Sequence, residues 1–184
     1  KLVYCSITGF GQTGPYADLP GYDFVAQAMG GMMSITGDPD GPPTKPGVAL
    51  ADVSTGMYAA VSVLMALRHA ERTGQGQYID CSLLDTQIAM LANQGLSYLV
   101  SGKSPGRMGN WHPTVVPYGV FNGKDGPIVV AVGNDRQFAL LCDVLGAPDL
   151  AKDPRYGANS KRVLNRVALE STLQDFIGQH HVTD

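Results

Sequence analysis

Leu2-Val3-Tyr4-Cys5-Ser6-Ile7 is a short apolar run closed by Gly9, Gly11, Gly14 and Pro15, which predicts a buried strand ending in a turn. Gly21 to Met29 predicts a short helix. Gly37-Asp38-Pro39-Asp40-Gly41-Pro42-Pro43 excludes regular structure, because glycine and proline occupy most of it. The longest periodic stretch runs from Val53 to Arg72. It is small and apolar on nearly every side through Leu67, turns polar at Arg68, His69, Glu71 and Arg72, and is stopped by Thr73-Gly74-Gln75-Gly76. Such a helix is expected to be packed by other elements for most of its length, with Asp52 as its N-cap. Gln77 to Ser82 predicts a second strand, and Leu83 to Val100 a further helix. The order strand, helix, helix, strand, helix is that of an α/β layer with parallel strands.

From Ser101 the texture changes. Ser101 to Asn110 reads as a linker or loop rich in glycine and serine. Two strands, Tyr118 to Phe121 and Ile128 to Val132, flank Asn122-Gly123-Lys124-Asp125-Gly126, a hairpin signal. Helices are expected over Arg136 to Leu145 and Asn165 to Gln179. The reading is an α/β part over residues 1–101, followed by a smaller α+β domain that starts at 102 and runs through 184.

Composition narrows the function classes. The chain has 184 residues, 44% hydrophobic and 16% charged, with a formal net charge of -3 and no basic run. That balance argues against nucleic acid or an anionic membrane surface as partner. No apolar stretch reaches the ~18 residues of a spanning helix without a Ser, Thr or Gly within it. Cys5, Cys81 and Cys142 are widely spaced and fit no metal or disulfide framework, which suggests reduced thiols and a cytoplasmic protein. The opening strand carries no initiator Met, so an excerpt of a longer polypeptide is expected.

Gly9, Gly11 and Gly14 satisfy G-x-G-x-x-G after a strand. Pro15, Pro20 and Gly21 forbid the long helix that a dinucleotide site needs, so a glycine turn is the better reading. His69, His112, His180 and His181 never meet Cys, Asp or Glu at ligand spacing, and no metal site is assigned. No G-x-S-x-G elbow is present. Tyr22, on composition alone, reads as a core aromatic. Asp52 remains: a carboxylate between Leu50-Ala51 and Val53, at a helix start whose unpaired N–H groups and dipole favour an anion. Apolar flanks would keep it dry, and the same N–H donors could serve an oxyanion formed on it. Gly56, one turn further, weakens the helix by ~1 kcal/mol relative to Ala, as expected where something must approach closely.

At these residues the chain resembles the class III CoA-transferases, the family of formyl-CoA transferase and of the carnitine and bile-acid CoA-transferases. The matching segments are Ser6–Gly14 (SITGFGQTG), Gly21–Gly31 (GYDFVAQAMGG), Ala51–Ala59 (ADVSTGMYA), Thr73–Asp80 (TGQGQYID) and Val116–Phe138 (VPYGVFNGKDGPIVVAVGNDRQF). The resemblance covers nearly the whole chain. It implies part of a Rossmann-like large domain carrying Asp52 as the catalytic aspartate, with Pro20, Gly21, Tyr22 and Asp23 contacting CoA. Gly106, Gly109 and Asn110 would lie in a substrate loop, although Gly106-Arg107-Met108-Gly109 departs from the family's glycine run. The implied substrates are an acyl-CoA and a small carboxylic acid, with no tightly bound cofactor, and the implied assembly is an interlocked homodimer.

The implied reaction moves CoA from an acyl-CoA to an acid through an aspartyl anhydride and an aspartyl-CoA thioester. One alternative is an α-methylacyl-CoA racemase of the same fold, in which a histidine stands where this chain has Tyr22. A phenol holds its proton at neutral pH and is a poor substitute. The other alternative is a structural fragment without activity.

Overall fold

The opening apolar run is β1 (Val3–Thr8) in the computed structural model, which describes residues 1–183. It pairs in parallel with β2 (Gln77–Ser82), from Val3 opposite Gln77 to Thr8 opposite Ser82. The crossover between them carries α1 (Asp23–Met29), α2 (Met32–Ile35) and α3 (Leu50–Thr73), and β2 leads into α4 (Leu83–Ala89) and α5 (Ala92–Ser101). These elements form one compact unit, Lys1 to Gly109; a second begins at Asn110. The overall class is mixed α/β, with one small parallel sheet and one small antiparallel sheet.

Helix α3 organises the first unit. It packs on β1, β2, α1 and α4 through a stripe of small residues: Ala51, Ser54, Thr55, Ala59, Ala66 and Ala70 are buried. Small side chains let backbones approach closely, so little apolar volume is enclosed; the core cluster here is Ala26, Ala51 and Leu83. The larger apolar residues of α3, among them Val53, Met57, Val61, Leu64 and Met65, are exposed. This corrects the expectation that neighbours cover the helix for most of its length. Despite its interior Ser, Thr and Gly, α3 is by length and composition the one described helix that could cross a membrane. It ends as its sequence requires, at Gly74 with φ 79°, whose N–H returns to the Ala70 carbonyl.

The helix expected over Leu83–Val100 is broken in two. The chain turns at Met90–Leu91, Ala92 takes φ 47°, and the N–H groups of Gln94 and Gly95 both point back to the Leu91 carbonyl. Neither glycine nor proline marks this break. Residues 102–109 stay with the first unit, because Arg107 and Gly109 bond back to the loop at Gly37–Gly41.

In the second unit β3 (Tyr118–Asn122) and β4 (Pro127–Ala131) form the antiparallel hairpin, closing at Asn122 opposite Pro127. Four helices follow: α6 (Asp135–Val144), α7 (Pro148–Lys152), α8 (Asn159–Leu164) and α9 (Arg166–Ile177). Helices α6 and α9 fall where the periodicity places them, whereas α7 and α8 are too short to show a period. Large side chains fill this core: Val116, Phe121, Phe138, Tyr156, Leu169, Leu173 and Ile177 are buried together. A fully buried arginine, Arg162, ties it. Its guanidinium donates to the carbonyls of Val116 (2.7 Å) and Tyr156 (2.9 Å) and to Asp135 Oδ1 (2.8 Å), and lies 4.5 Å from the Phe138 ring centre.

Candidate active site

The start of α3 is where the sequence-predicted residues meet. The helix begins at Leu50 with Ala49 as N-cap, so Asp52 stands in the first turn and is not the cap. The cap comes from another helix. Asp23 Oδ1, on α1, accepts from the N–H of Ala51 at 2.8 Å and of Asp52 at 3.4 Å. Leu50 N–H is satisfied by the Val48 carbonyl and Val53 N–H by Ala49. The N–H groups of Leu50, Ala51 and Asp52 are therefore engaged, and the donors nearest Asp52 are not free for an oxyanion formed on it. That overturns the expected double use of the helix start.

Asp52 itself is exposed rather than held dry by apolar flanks. Leu50 and Ala51 turn inward while Val53 is 58% exposed, because a helix sends successive residues to different faces. Gly56, one turn on, has open space where a Cβ would stand. Asp52, Gly56 and the neighbouring Val53 and Met57 thus form an uncovered shelf on the first turns of α3.

The Pro20-Gly21-Tyr22-Asp23 turn is fixed from the other side. Gly9, at the end of β1, and Gly21 lie backbone against backbone, so close that a Cβ on either would collide with the other. Tyr22 is in extended conformation at the N-cap of α1, its carbonyl accepting from Ala26 N–H, and it is 73% exposed. The core role that composition suggested for it does not hold. Asp23 is half-buried, with its second oxygen, Oδ2, accepting from Gln27 Nε2 at 2.7 Å. The same amide nitrogen reaches the Val48 carbonyl at 3.3 Å.

Below this contact the junction of α1, α3 and α4 is polar and buried. The hydroxyls of Thr55 and Thr86 bond across from α3 to α4, and Thr55 also donates to the Ala51 carbonyl. Gln27 and Gln87 are both fully buried, and Gln87 lies against Gly30, where no side chain competes for the space.

The remaining predicted residues sit elsewhere. Arg107, between Gly106 and Gly109, donates from Nε to the Asp38 carbonyl (3.1 Å) and from Nη2 to that of Gly41 (2.7 Å), and Gly109 N–H donates to Gly37 (2.9 Å). Asn110 belongs to the second unit. Cys81, the buried thiol among the described residues of the first unit, is a poor competitor to Asp52. Burial, then the adjacent Cys5 and Asp80, push its thiol pKa up and hold it neutral.

Sequence reasoning named Asp23 for a different task and passed over Gln27. Their spacing, Asp-x-x-x-Gln on a helix, is an (i, i+4) pair that could have flagged the bond between them.

The profile described as CoA-transferase family III matches residues 1–184. The succinate–glutarate CoA-transferase of Agrobacterium fabrum is 54% identical over 173 residues, which are 94% of this chain and 43% of that protein. The acetyl-CoA:oxalate CoA-transferase of Acetobacter aceti is 46% identical, over 95% of this chain and 45% of its own length. The crystal structure of a CAIB/BAIF family protein from Brucella suis superimposes with a TM-score of 0.80 at 52% identity, covering 98% of this chain and 48% of that one. The chain spans less than half the length of these relatives.

Proposed function

Because the chain belongs to CoA-transferase family III, we propose that the protein it comes from moves CoA from an acyl-CoA to a carboxylic acid, with Asp52 as nucleophile. The observation that carries this reading is the open shelf at the start of α3. An exposed carboxylate stands there in a first turn pinned by Asp23, beside a glycine that leaves room for a substrate to come close.

The steps follow from the chemistry of a carboxylate nucleophile. Asp52 attacks the thioester carbonyl, forming an aspartyl anhydride with the donor acyl group and releasing the CoA thiolate. The thiolate attacks the aspartyl carbonyl, giving an aspartyl-CoA thioester and freeing the donor acid. The acceptor carboxylate attacks that thioester, re-forming an anhydride and releasing CoA thiolate. Attack of the thiolate on the acceptor carbonyl completes the new acyl-CoA and restores Asp52. An anhydride conserves the acyl group's activation, whereas a serine ester would dissipate much of it.

Water must be excluded throughout. We read the 106–111 loop as the lid that does this, the 20–23 turn as a CoA contact, and the first unit as part of a Rossmann-like domain within an interlocked dimer. The oxyanion donors must be other than the N–H groups of Leu50, Ala51 and Asp52, which are engaged. Tyr22, standing where racemases carry histidine, favours transfer over racemisation. The names of the Agrobacterium and Acetobacter relatives point to small dicarboxylic acids as substrates.

Asp52→Asn in the full polypeptide should abolish transfer from succinyl-CoA to a panel of small acids while leaving the far-UV circular dichroism unchanged. Hydroxylamine should convert Asp52 to a hydroxamate only after acyl-CoA is added. Turnover retained by Asp52→Asn would refute the assignment.

A further inference from the structure

The Asp23 carboxylate that caps α3 is itself held from behind. Oδ1 takes the N–H groups of Ala51 and Asp52; Oδ2 takes Gln27 Nε2. With both oxygens engaged, the carboxylate cannot rotate about its Cβ–Cγ bond without losing a partner. The Gln27 amide also donates to the Val48 carbonyl, in the segment that leads into α3. One buried side chain thus joins α1, the cap and the approach to the nucleophile's helix. Its orientation is chemically forced, since turning the amide over would set its oxygen against the Asp23 carboxylate. Gln27 Oε1, left on the far side, has no partner among the described residues.

We propose that Gln27 is a positioning residue for the transfer reaction: by fixing Asp23 against the N–H groups of Ala51 and Asp52, it sets the place of the Asp52 carboxylate on the α3 shelf. This rests on the reading of Asp52 as nucleophile. Without Gln27, Asp23 Oδ2 loses its partner and the carboxylate is free to turn about its Cβ–Cγ bond, so Oδ1 no longer holds a fixed place against the Ala51 and Asp52 N–H groups and the first turn of α3 has freedom to fray. The substrate meets Asp52 and the exposed shelf rather than Gln27, so the consequence falls on the chemical step and not on binding.

The ionisable surroundings of Gln27 are few. Asp23 shares its helix and is bonded to it; α2 has no ionisable side chain; α4 contributes Asp85; and the first turns of α3 contribute Asp52 and Tyr58. This makes Gln27→Glu an informative variant. A protonated carboxyl at this position can donate to Asp23 Oδ2 as the amide does; an ionised one would repel it.

The test uses the full polypeptide in a CoA-transfer assay. Gln27→Leu should lower kcat by roughly ten- to a hundred-fold, the effect of loosening a reacting group by a fraction of an ångström to an ångström, with KM for acyl-CoA within about two-fold of wild type. Gln27→Glu should approach the wild-type rate at acid pH. Its rate relative to wild type at the same pH should then decline as the introduced carboxyl ionises. Wild-type kcat in Gln27→Leu, or a pH-independent ratio in Gln27→Glu, overturns the proposal while an inactive Asp52→Asn leaves the nucleophile standing. If Asp52→Asn is itself active, the nucleophile reading falls, and the positioning role with it.

Discussion

The two units bury opposite kinds of residue. The second closes over phenylalanines, leucines and a tyrosine, with a buried arginine bonded on every side. The first buries alanines, threonines and two glutamines, and turns valine, leucine and methionine of α3 outward. A face of large apolar side chains is what a protein normally puts inside. In the second unit large apolar side chains from the hairpin, α6 and α9 gather in one core, although Val129, Val144, Leu164 and Val167 stay exposed. In the first the small-residue stripe of α3 sets the close approach of the helices and strands, and with it the start of α3, while its large residues lie unused. Shape around the candidate site is therefore determined by hydrogen bonds and close backbone contact rather than by the filling of a large core.

Paired truncations test that contrast most strongly. Leu169→Ala, at a fully buried site, should destabilise by about 2–5 kcal/mol. The same change at Leu64, 66% exposed on α3, should shift stability of this chain by less than about 0.5 kcal/mol. Denaturant titration of the two variants measures both, and equal losses would break the comparison. Next in size is Arg162→Met, which keeps volume but leaves the Val116 and Tyr156 carbonyls without their donor. The expected loss is about 2 kcal/mol. It is not larger, because Asp135 is 58% exposed and its charge returns to water.

The smallest effect concerns pH. Glu170 is bonded to Arg166, yet burial outweighs that partner and pushes its carboxyl above the usual value. The native state then holds the proton more tightly than the unfolded chain. Its contribution is fully present below the ordinary glutamate pKa and is lost as pH rises through the raised one. Glu170→Gln should flatten that decline in thermal-melting profiles across the acid range.

Much of the second unit and of the strands could be read along the chain. The Asn122–Gly126 turn, the two strands beside it and the stop of α3 at Gly74 each depend on neighbours in sequence. What could not be read depends on residues far apart. The start of α3 was misplaced because its cap, Asp23, arrives from α1, so no local signal precedes Leu50. The exposure of Asp52 follows from which face of α3 meets the strands, and hydropathy cannot rank faces on a helix apolar nearly all round. The break at Met90–Leu91 has no breaker residue, and the burial of Gln27 contradicts its polarity until its bonds are known. Of the local structure around the candidate site, a long helix starting near Asp52 and a short one following the 20–23 turn can be read from the sequence; the bond from Asp23 that links them cannot.

The pairing of the two sheets also sets different clocks. The β3–β4 hairpin joins Asn122 to Pro127 across a tight turn and can form within roughly 1–10 μs. β1 must instead wait for β2, since Val3 finds Gln77 only after the whole crossover, with α1 and α3, has been made. Contacts so distant in sequence pay loop closure before they return any stability, which slows folding. On an emerging chain the β1–β2 pairing can therefore form only once the whole crossover and β2 have been made.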